Sequence, residues 1–180
     1  MAKELEVKVL NIDKKEMEER LVSIGAKYLV KEEQINTLID TKTKNIENEL
    51  DSYLRIRETK NLDNGEEQII FTLKENISRE GIRENIEANT FISNKKTLIY
   101  ILNRLGYEVV EEGYKERISY VYNDIRFDID TWDEKIYPYT YMEIEVKKKE
   151  DLDKAIRLLN IDKEQITTKS IVDLRKELEK

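Results

Sequence analysis

Glu4-Leu5-Glu6-Val7-Lys8-Val9 alternates strictly, so that in an extended strand Glu4, Glu6 and Lys8 share one face while Leu5, Val7 and Val9 share the other. The alternation recurs along the chain. Leu54 and Ile56 flank and separate Arg55 and Arg57, and Ile144 separates Glu143 from Glu145. Lys115 with Arg117, Asp128 with Asp130, Thr72 with Lys74, and Arg83 with Glu87 likewise share single strand faces. One such pair reads as the solvated side of a half-buried antiparallel strand. Their recurrence gives nearly every strand one charged and one aliphatic face.

Period-two runs are expected at approximately 4–10, 34–40, 52–59, 66–75, 82–91, 113–122, 125–132 and 140–148, with turn residues between them, Asn123-Asp124 being short enough for a hairpin. Two helices have legible ends. In the first, Asp13 caps the start with Glu16 three residues on, Ile12 and Met17 form a hydrophobic staple, Met17, Leu21 and Ile24 line one face, and Gly25 ends it. In the second, Ser93 is the expected cap, Leu98, Ile101, Leu102 and Leu105 the apolar stripe, and Gly106 the stop. Shorter helices are expected around Asp151–Leu159 and Ser170–Glu179. The order strand, helix, Gly, strand thus occurs twice, a faint internal repeat. Helices must bury their stripes, and the aliphatic strand faces are the only sheet surface that can receive them. The helices therefore belong outside, and if the sheet closes its charged faces line the interior. The expectation is an α+β fold: a closed eight-stranded antiparallel β-barrel with a charged interior, forming one domain over residues 1–180.

Composition narrows the chemistry. The 180 residues carry 32 Lys+Arg against 39 Asp+Glu, a formal charge of -7, which argues against a sequence-independent grip on nucleic acid. No apolar run is long enough to span a bilayer, and Met1-Ala2-Lys3-Glu4 lacks the apolar region of a signal peptide, so the chain reads as cytoplasmic with no membrane partner. There is no Cys and no His, which removes disulfides, thiolate nucleophiles, imidazole bases and the usual zinc ligands. Any metal must be held by carboxylates, which suit Mg²⁺ or Mn²⁺.

A closed barrel would gather Lys8, Arg55, Arg57, Lys74, Arg83, Lys115 and Arg117 with Glu4, Glu6, Glu87, Asp128, Asp130, Glu143 and Glu145. Partly buried charge is costly unless paired or coordinated. A polyphosphate with its divalent cation supplies the reason: Arg forks and Lys bind phosphate oxygens, and clustered carboxylates gather the metal.

These residues resemble the CYTH superfamily of triphosphate tunnel metalloenzymes. Glu4-Leu5-Glu6-Val7-Lys8 is similar to its ExExK signature, Gln34-Ile35-Asn36-Thr37-Leu38-Ile39-Asp40 to its Q-x-[ND]-x-Y-x-D strand, and Leu54-Arg55-Ile56-Arg57 to its LRIR. Thr72-Leu73-Lys74, Arg83 with Glu87, Lys115-Glu116-Arg117, Asp128-Ile129-Asp130 and Tyr141-Met142-Glu143-Ile144-Glu145 follow in order, so the likeness spans roughly residues 4–145. The resemblance implies an eight-stranded tunnel binding a small-molecule triphosphate with Mg²⁺ or Mn²⁺. It implies Glu4, Glu6, Glu143 and Glu145 as metal ligands with Asp128 or Asp130 assisting, and Lys8, Arg55, Arg57, Lys74, Arg83, Lys115 and Arg117 as the phosphate cradle. Glu4, Glu6 and Lys8 are then the catalytic group, and a homodimer is allowed by analogy. Two positions depart from the pattern: Leu38 replaces an aromatic, and Asn85 stands where a carboxylate would sit between Arg83 and Glu87. Aromatics between Asp130 and Tyr139 can either stack on a base or thiazole at the tunnel mouth or pack under a helix.

No Ser-His or Cys-His arrangement suggests a covalent intermediate, so direct displacement at phosphorus is expected. Attack by water on the terminal phosphorus makes a triphosphatase acting on tripolyphosphate, thiamine triphosphate or a nucleotide. Attack by a ribose 3′-hydroxyl on the α-phosphorus makes a class IV adenylate cyclase. A module that binds polyphosphate without turnover is the third reading. Hydrolysis is favoured, because it needs no adenosine pocket and the sequence shows none.

Overall fold

The computed structural model describes residues 2–178. Strands β1 (Ala2–Val9), β2 (Lys27–Asp40), β3 (Ser52–Asn61), β4 (Glu67–Ser78), β5 (Arg83–Phe91), β6 (Glu108–Tyr122), β7 (Ile125–Trp132) and β8 (Tyr141–Val146) join in the order β5-β4-β3-β2-β6-β7-β8-β1, and β1 also pairs with β5. That last pairing closes an eight-stranded antiparallel barrel, the architecture expected. Its register runs from Ala2↔Glu87 to Glu6↔Arg83. A two-residue strand, β9 (Ile166–Thr167), extends the sheet alongside Lys8 and Val9. The β6–β7 hairpin turns on Asn123 and Asp124, both at positive φ, the geometry that matches the twist of its strands.

Helices α1 (Lys14–Ser23), α2 (Asn45–Leu50), α3 (Lys95–Arg104), α4 (Lys149–Leu158) and α5 (Ile171–Leu178) lie outside. Asp13 caps α1 by accepting from the Glu16 amide at 2.8 Å. Gly25 and Gly106, at φ +83° and +90°, end α1 and α3 where a side chain would be strained. The main core lies between the outer barrel wall and the helices: Leu5, Val7 and Val9 of β1 and Phe127, Ile129 and Ile144 of β7 and β8 pack with Met17, Leu21, Leu152 and Ala155 of α1 and α4. Among the described residues no helix is long and apolar enough to cross a membrane.

Several sequence expectations are corrected. Asn94, not Ser93, caps α3, accepting from the Thr97 amide at 2.9 Å. The α3 stripe is not a core face: Ile101 is 48% and Leu105 68% exposed, because α3 approaches the barrel mainly along β6. β2 and β6 are longer than the runs at 34–40 and 113–122, since residues 27–33 of β2 pair along 116–121 of β6 and residues 108–112 of β6 pair along 37–40 of β2. Helix α2 has no clear apolar period and is imposed from outside itself: the Asp40 carboxylate accepts from the Ile46 and Glu47 amides, each at 3.0 Å. The last helix ends at Leu178; the expected continuation to Glu179 lies outside the described residues.

Candidate active site: a charged tunnel

Closure brings the inward-facing charges around one cavity of about 180 Å³. Lys8, Arg55, Arg57, Lys74, Arg83, Lys115 and Arg117 line it with Glu4, Glu6, Glu87, Asp128, Glu143 and Glu145. Asp130 does not line it. That side chain is wholly buried behind the wall, where it accepts from Lys115 Nζ at 2.9 Å and from Arg117 Nε and Nη2 at 2.7 Å each.

The cations divide into two kinds. Lys74 sits among carboxylates, 2.7 Å from Glu4, 3.3 Å from Glu6 and 3.2 Å from Glu87. Burial opposes its charge, but Tyr53, Glu6, Glu4 and Glu87 outweigh burial and hold the ammonium well above its usual range. Arg117 bonds Asp130, Asp128 at 2.8 Å and Glu143 at 2.7 Å, which spends most of its five N–H donors on protein. Arg57 and Arg83 form no ion pair among the described residues; each Nε donates only to an amide oxygen, of Asn36 at 3.1 Å and of Asn85 at 3.2 Å. Burial, then the neighbouring Arg55 and Arg117 guanidiniums, pull Arg57 down to about 10. Burial and then Arg117 pull the Lys115 ammonium down to about 7 despite Asp130. This part of the wall holds more positive charge than it can satisfy.

The opposite imbalance lies on β1 and β8, where Glu6 pairs in register with Glu145. Burial, then Glu4 and Asp128, push the Glu145 carboxyl up to about 7, and Glu4 is also raised by burial and by Glu87 and Glu6 against the pull of Lys74. Hard oxygen donors crowded beyond their own neutralisation fit a hard divalent cation. Among the described residues no three acidic side chains converge into a ready-made cage, so such a cation would draw part of its shell from water or ligand oxygen.

Glu145 makes a test of that crowding. Its charged form is the one the fold resists, so the cost is absent below about pH 4.5, grows as pH rises, and is complete above about pH 7. Discounted for partial exposure, it amounts to about 1–2 kcal/mol. Glu145→Gln is therefore expected to raise the melting temperature of metal-free protein by a few degrees at pH 8 and hardly at all at pH 5. Equal shifts at both pH values in thermal melts would remove the crowding argument.

The charge alternation missed the uncharged lining. Asn36, Leu38 and Tyr53 face the tunnel from β2 and β3, and Trp132, Ile136, Tyr141, Ile171 and Val172 line it as well. Parity was the available signal for Asn36 and Leu38, which share a face with Gln34. No local signal marked Ile136. Trp132 and Tyr141 line the cavity, and Tyr137 packs with Tyr141, Leu174 and Ile171 beneath α5, as the helix-packing reading of this segment expects.

A closed antiparallel barrel with opposed charges on its inner wall has the architecture of a triphosphate tunnel. The chain belongs to the CYTH domain family, whose model matches residues 2–171. Similar solved structures include the PH1819 protein from Pyrococcus horikoshii OT3, 24% identical, covering 97% of this chain and 98% of that one with a TM-score of 0.79. The PH1012 protein from the same source is 22% identical, covers 95% and 98%, and has a TM-score of 0.76. HpAC1 from Hippeastrum, described with a dominant triphosphatase activity, is 14% identical over 94% of this chain and 91% of its own, with a TM-score of 0.67. At these identities the likeness shows the fold. No match is found among curated proteins.

Proposed function

We propose that the tunnel is the active site of a divalent-metal-dependent triphosphatase, which hydrolyses the terminal phosphoanhydride of a small-molecule triphosphate. The observation that carries this reading is the pair of opposite imbalances in one cavity: cations crowded on Arg57 and Lys115, carboxylates crowded on Glu145 and Glu4. A metal-bound triphosphate relieves both at once. Glu4, Glu6 and Glu145, with Glu143 and Asp128 beside them, would hold Mg²⁺ or Mn²⁺, which when bound supplies charge stabilisation at the transferring phosphoryl group.

The chain's own residues position the substrate. Arg57, Arg83 and Arg55 retain guanidinium donors for phosphate oxygens, and Arg55 Nε is buried without a partner. Lys8, 3.2 Å from Glu143, links the carboxylate group to the phosphate path, and Lys74 holds Glu4 and Glu6 in place. Asp130 acts through Arg117 and Lys115, whose orientation it sets. Since the tunnel has no Cys or His, displacement by water is the simplest chemistry its walls support.

Arg57→Ala is expected to raise KM by roughly 10–100-fold with a smaller fall in kcat, because a half-buried donor held in place by Asn36 is lost from ground state and transition state alike. Folding should be unharmed, since the lost charge was repelled by two neighbouring guanidiniums. Steady-state kinetics with an unchanged KM would remove Arg57 from the phosphate cradle. The function itself is tested by incubating the protein with tripolyphosphate, thiamine triphosphate and ATP under Mg²⁺, Mn²⁺ or EDTA. Orthophosphate released only with metal supports the triphosphatase. Cyclic AMP with pyrophosphate replaces it by the cyclase, and absence of turnover leaves a binding module.

A further inference from the structure

Arg83 lies among acids and pairs with none of them. It is 5% exposed, lines the tunnel from β5, is the register partner of Glu6 in the β1–β5 seam that closes the barrel, and shares its strand face with Glu87. Arg117, in comparable surroundings on β6, bonds three carboxylates and is taken up by the wall. Arg83 instead donates its Nε to Oδ1 of Asn85, two residues along β5, at 3.2 Å.

Asn85 stands behind the lining. It has no exposed surface, its register partner is Glu4, and its Nδ2 donates to Glu6 Oε1 at 3.0 Å. The side chain at this point therefore meets a carboxylate, which only accepts, on one side and a guanidinium, which only donates, on the other. An apolar residue would leave both without that partner in a buried seam. A carboxylate would satisfy Arg83, but it would cancel the guanidinium charge and set a new anion against Glu6. It would also stand beside Glu4, whose carboxyl burial already raises, with Glu87 and Glu6 adding to the rise against the pull of Lys74. An amide answers both neighbours and adds no charge. Glu6 also settles which way round the amide lies: turned over, its oxygen would oppose the Glu6 oxygen and its N–H groups the Arg83 N–H. Contacts thus run from barrel closure to Glu6, from Glu6 to Asn85 and from Asn85 to Arg83, whose two terminal nitrogens bond no protein group among the described residues.

We propose that Asn85 is a positioning residue for the triphosphate: oriented by Glu6, it aims Arg83 at the cavity and, being neutral, leaves the guanidinium charge to be met by phosphate. This rests on the triphosphate reading above and goes further by giving a role in binding to a side chain that does not line the tunnel.

Two substitutions separate charge from shape. Asn85→Asp keeps the shape and the bond from Arg83 but supplies an internal anion, whereas Asn85→Ala leaves Arg83 charged and unheld. Tripolyphosphate binding to the intact chain is measured by calorimetry at saturating Ca²⁺, which slows turnover, and each variant is checked for folding by thermal melts. Asn85→Asp is expected to weaken binding about thirtyfold and Asn85→Ala about fivefold, the sizes that go with losing a charged and a neutral hydrogen bond. A packing role predicts the reverse order, since Ala leaves a void and Asp does not. A new anion also repels phosphate directly, so both substitutions are repeated with Arg83→Ala, where each is expected to change affinity by less than about twofold. Losses that persist in that background overturn the proposal, as does a greater loss for Asn85→Ala than for Asn85→Asp, or unchanged binding by folded Asn85→Asp. Should Asn85→Asp fail to fold, the Asn85→Ala and Arg83→Ala cycle decides by the same criterion. All of these results leave the triphosphate reading intact. If the unaltered protein binds neither tripolyphosphate nor ATP, with Ca²⁺ or EDTA, that reading falls and the role of Asn85 with it.

Discussion

Glu6→Gln is expected to lower metal-dependent turnover by roughly 10²–10³-fold while leaving the protein folded. The Glu6 carboxylate lies on the tunnel face of β1, 3.3 Å from Lys74 Nζ and accepting from Asn85 Nδ2 at 3.0 Å. Gln preserves the shape and can still accept from both neighbours, but removes one of the charges that would hold the metal. Lys74 keeps Glu4 and Glu87 as partners, so no buried cation is stranded. The loss of one negative charge also relieves the crowding felt by Glu4 and Glu145. The check is turnover under saturating Mg²⁺ alongside a thermal melt. Retained turnover would remove Glu6 from the site, and collapse of the melt would make its role structural.

Arg117→Ala is expected to have the largest effect on stability, about 3–5 kcal/mol, because it takes the shared cation from a set of buried carboxylates and leaves them under-neutralised. Arg117 is bonded to Asp130, Asp128 and Glu143, and Asp130 has no exposed surface from which to recruit water. With the guanidinium removed, Asp130 keeps Lys115, Asp128 keeps Ser119 and Arg126, and Glu143 keeps Lys8, so the three carboxylates are under-neutralised and must bear that cost or take up protons. Burial raises both carboxyls, but Arg117 helps hold Asp128 below its usual range and, after Lys8, Glu143 well below it. The deficit should therefore be greatest at neutral pH and shrink as pH falls through the range where the freed carboxyls protonate. Denaturant melts at pH 7 and pH 4.5 measure both features. A variant as stable as the parent at pH 7 would show that Arg117 is not the keystone of this wall.

The contrast between Arg117→Ala and Arg57→Ala marks the limit of what parity can tell. Both arginines sit on tunnel faces by the same alternation. Their different roles come from their neighbours: Arg117 of β6 is opposite Asp130 of β7, whereas Arg57 of β3 is opposite Asn36 of β2 and Ile70 of β4. Register across the sheet thus makes one guanidinium an internal ion pair and leaves the other available. Asp130 illustrates the same point from the acidic side. Its alternation with Asp128 reads as a metal-facing pair, yet strand pairing turns it behind Arg117 and Lys115.

Alternation of charged and aliphatic residues, from Glu4-Leu5-Glu6-Val7-Lys8 to Glu143-Ile144-Glu145, determined by itself which residues share a strand face, because side-chain direction in a strand is a property of the local backbone. Asp13, Gly25 and Gly106 determined helix ends for the same reason, since caps act within one turn. Closure through β1 and β5, the division of arginines into paired and available, and the bridging of Glu6 and Arg83 by Asn85 were decided only by the tertiary structure. Each of these depends on which residues meet across long stretches of chain, and a local period carries no record of such meetings.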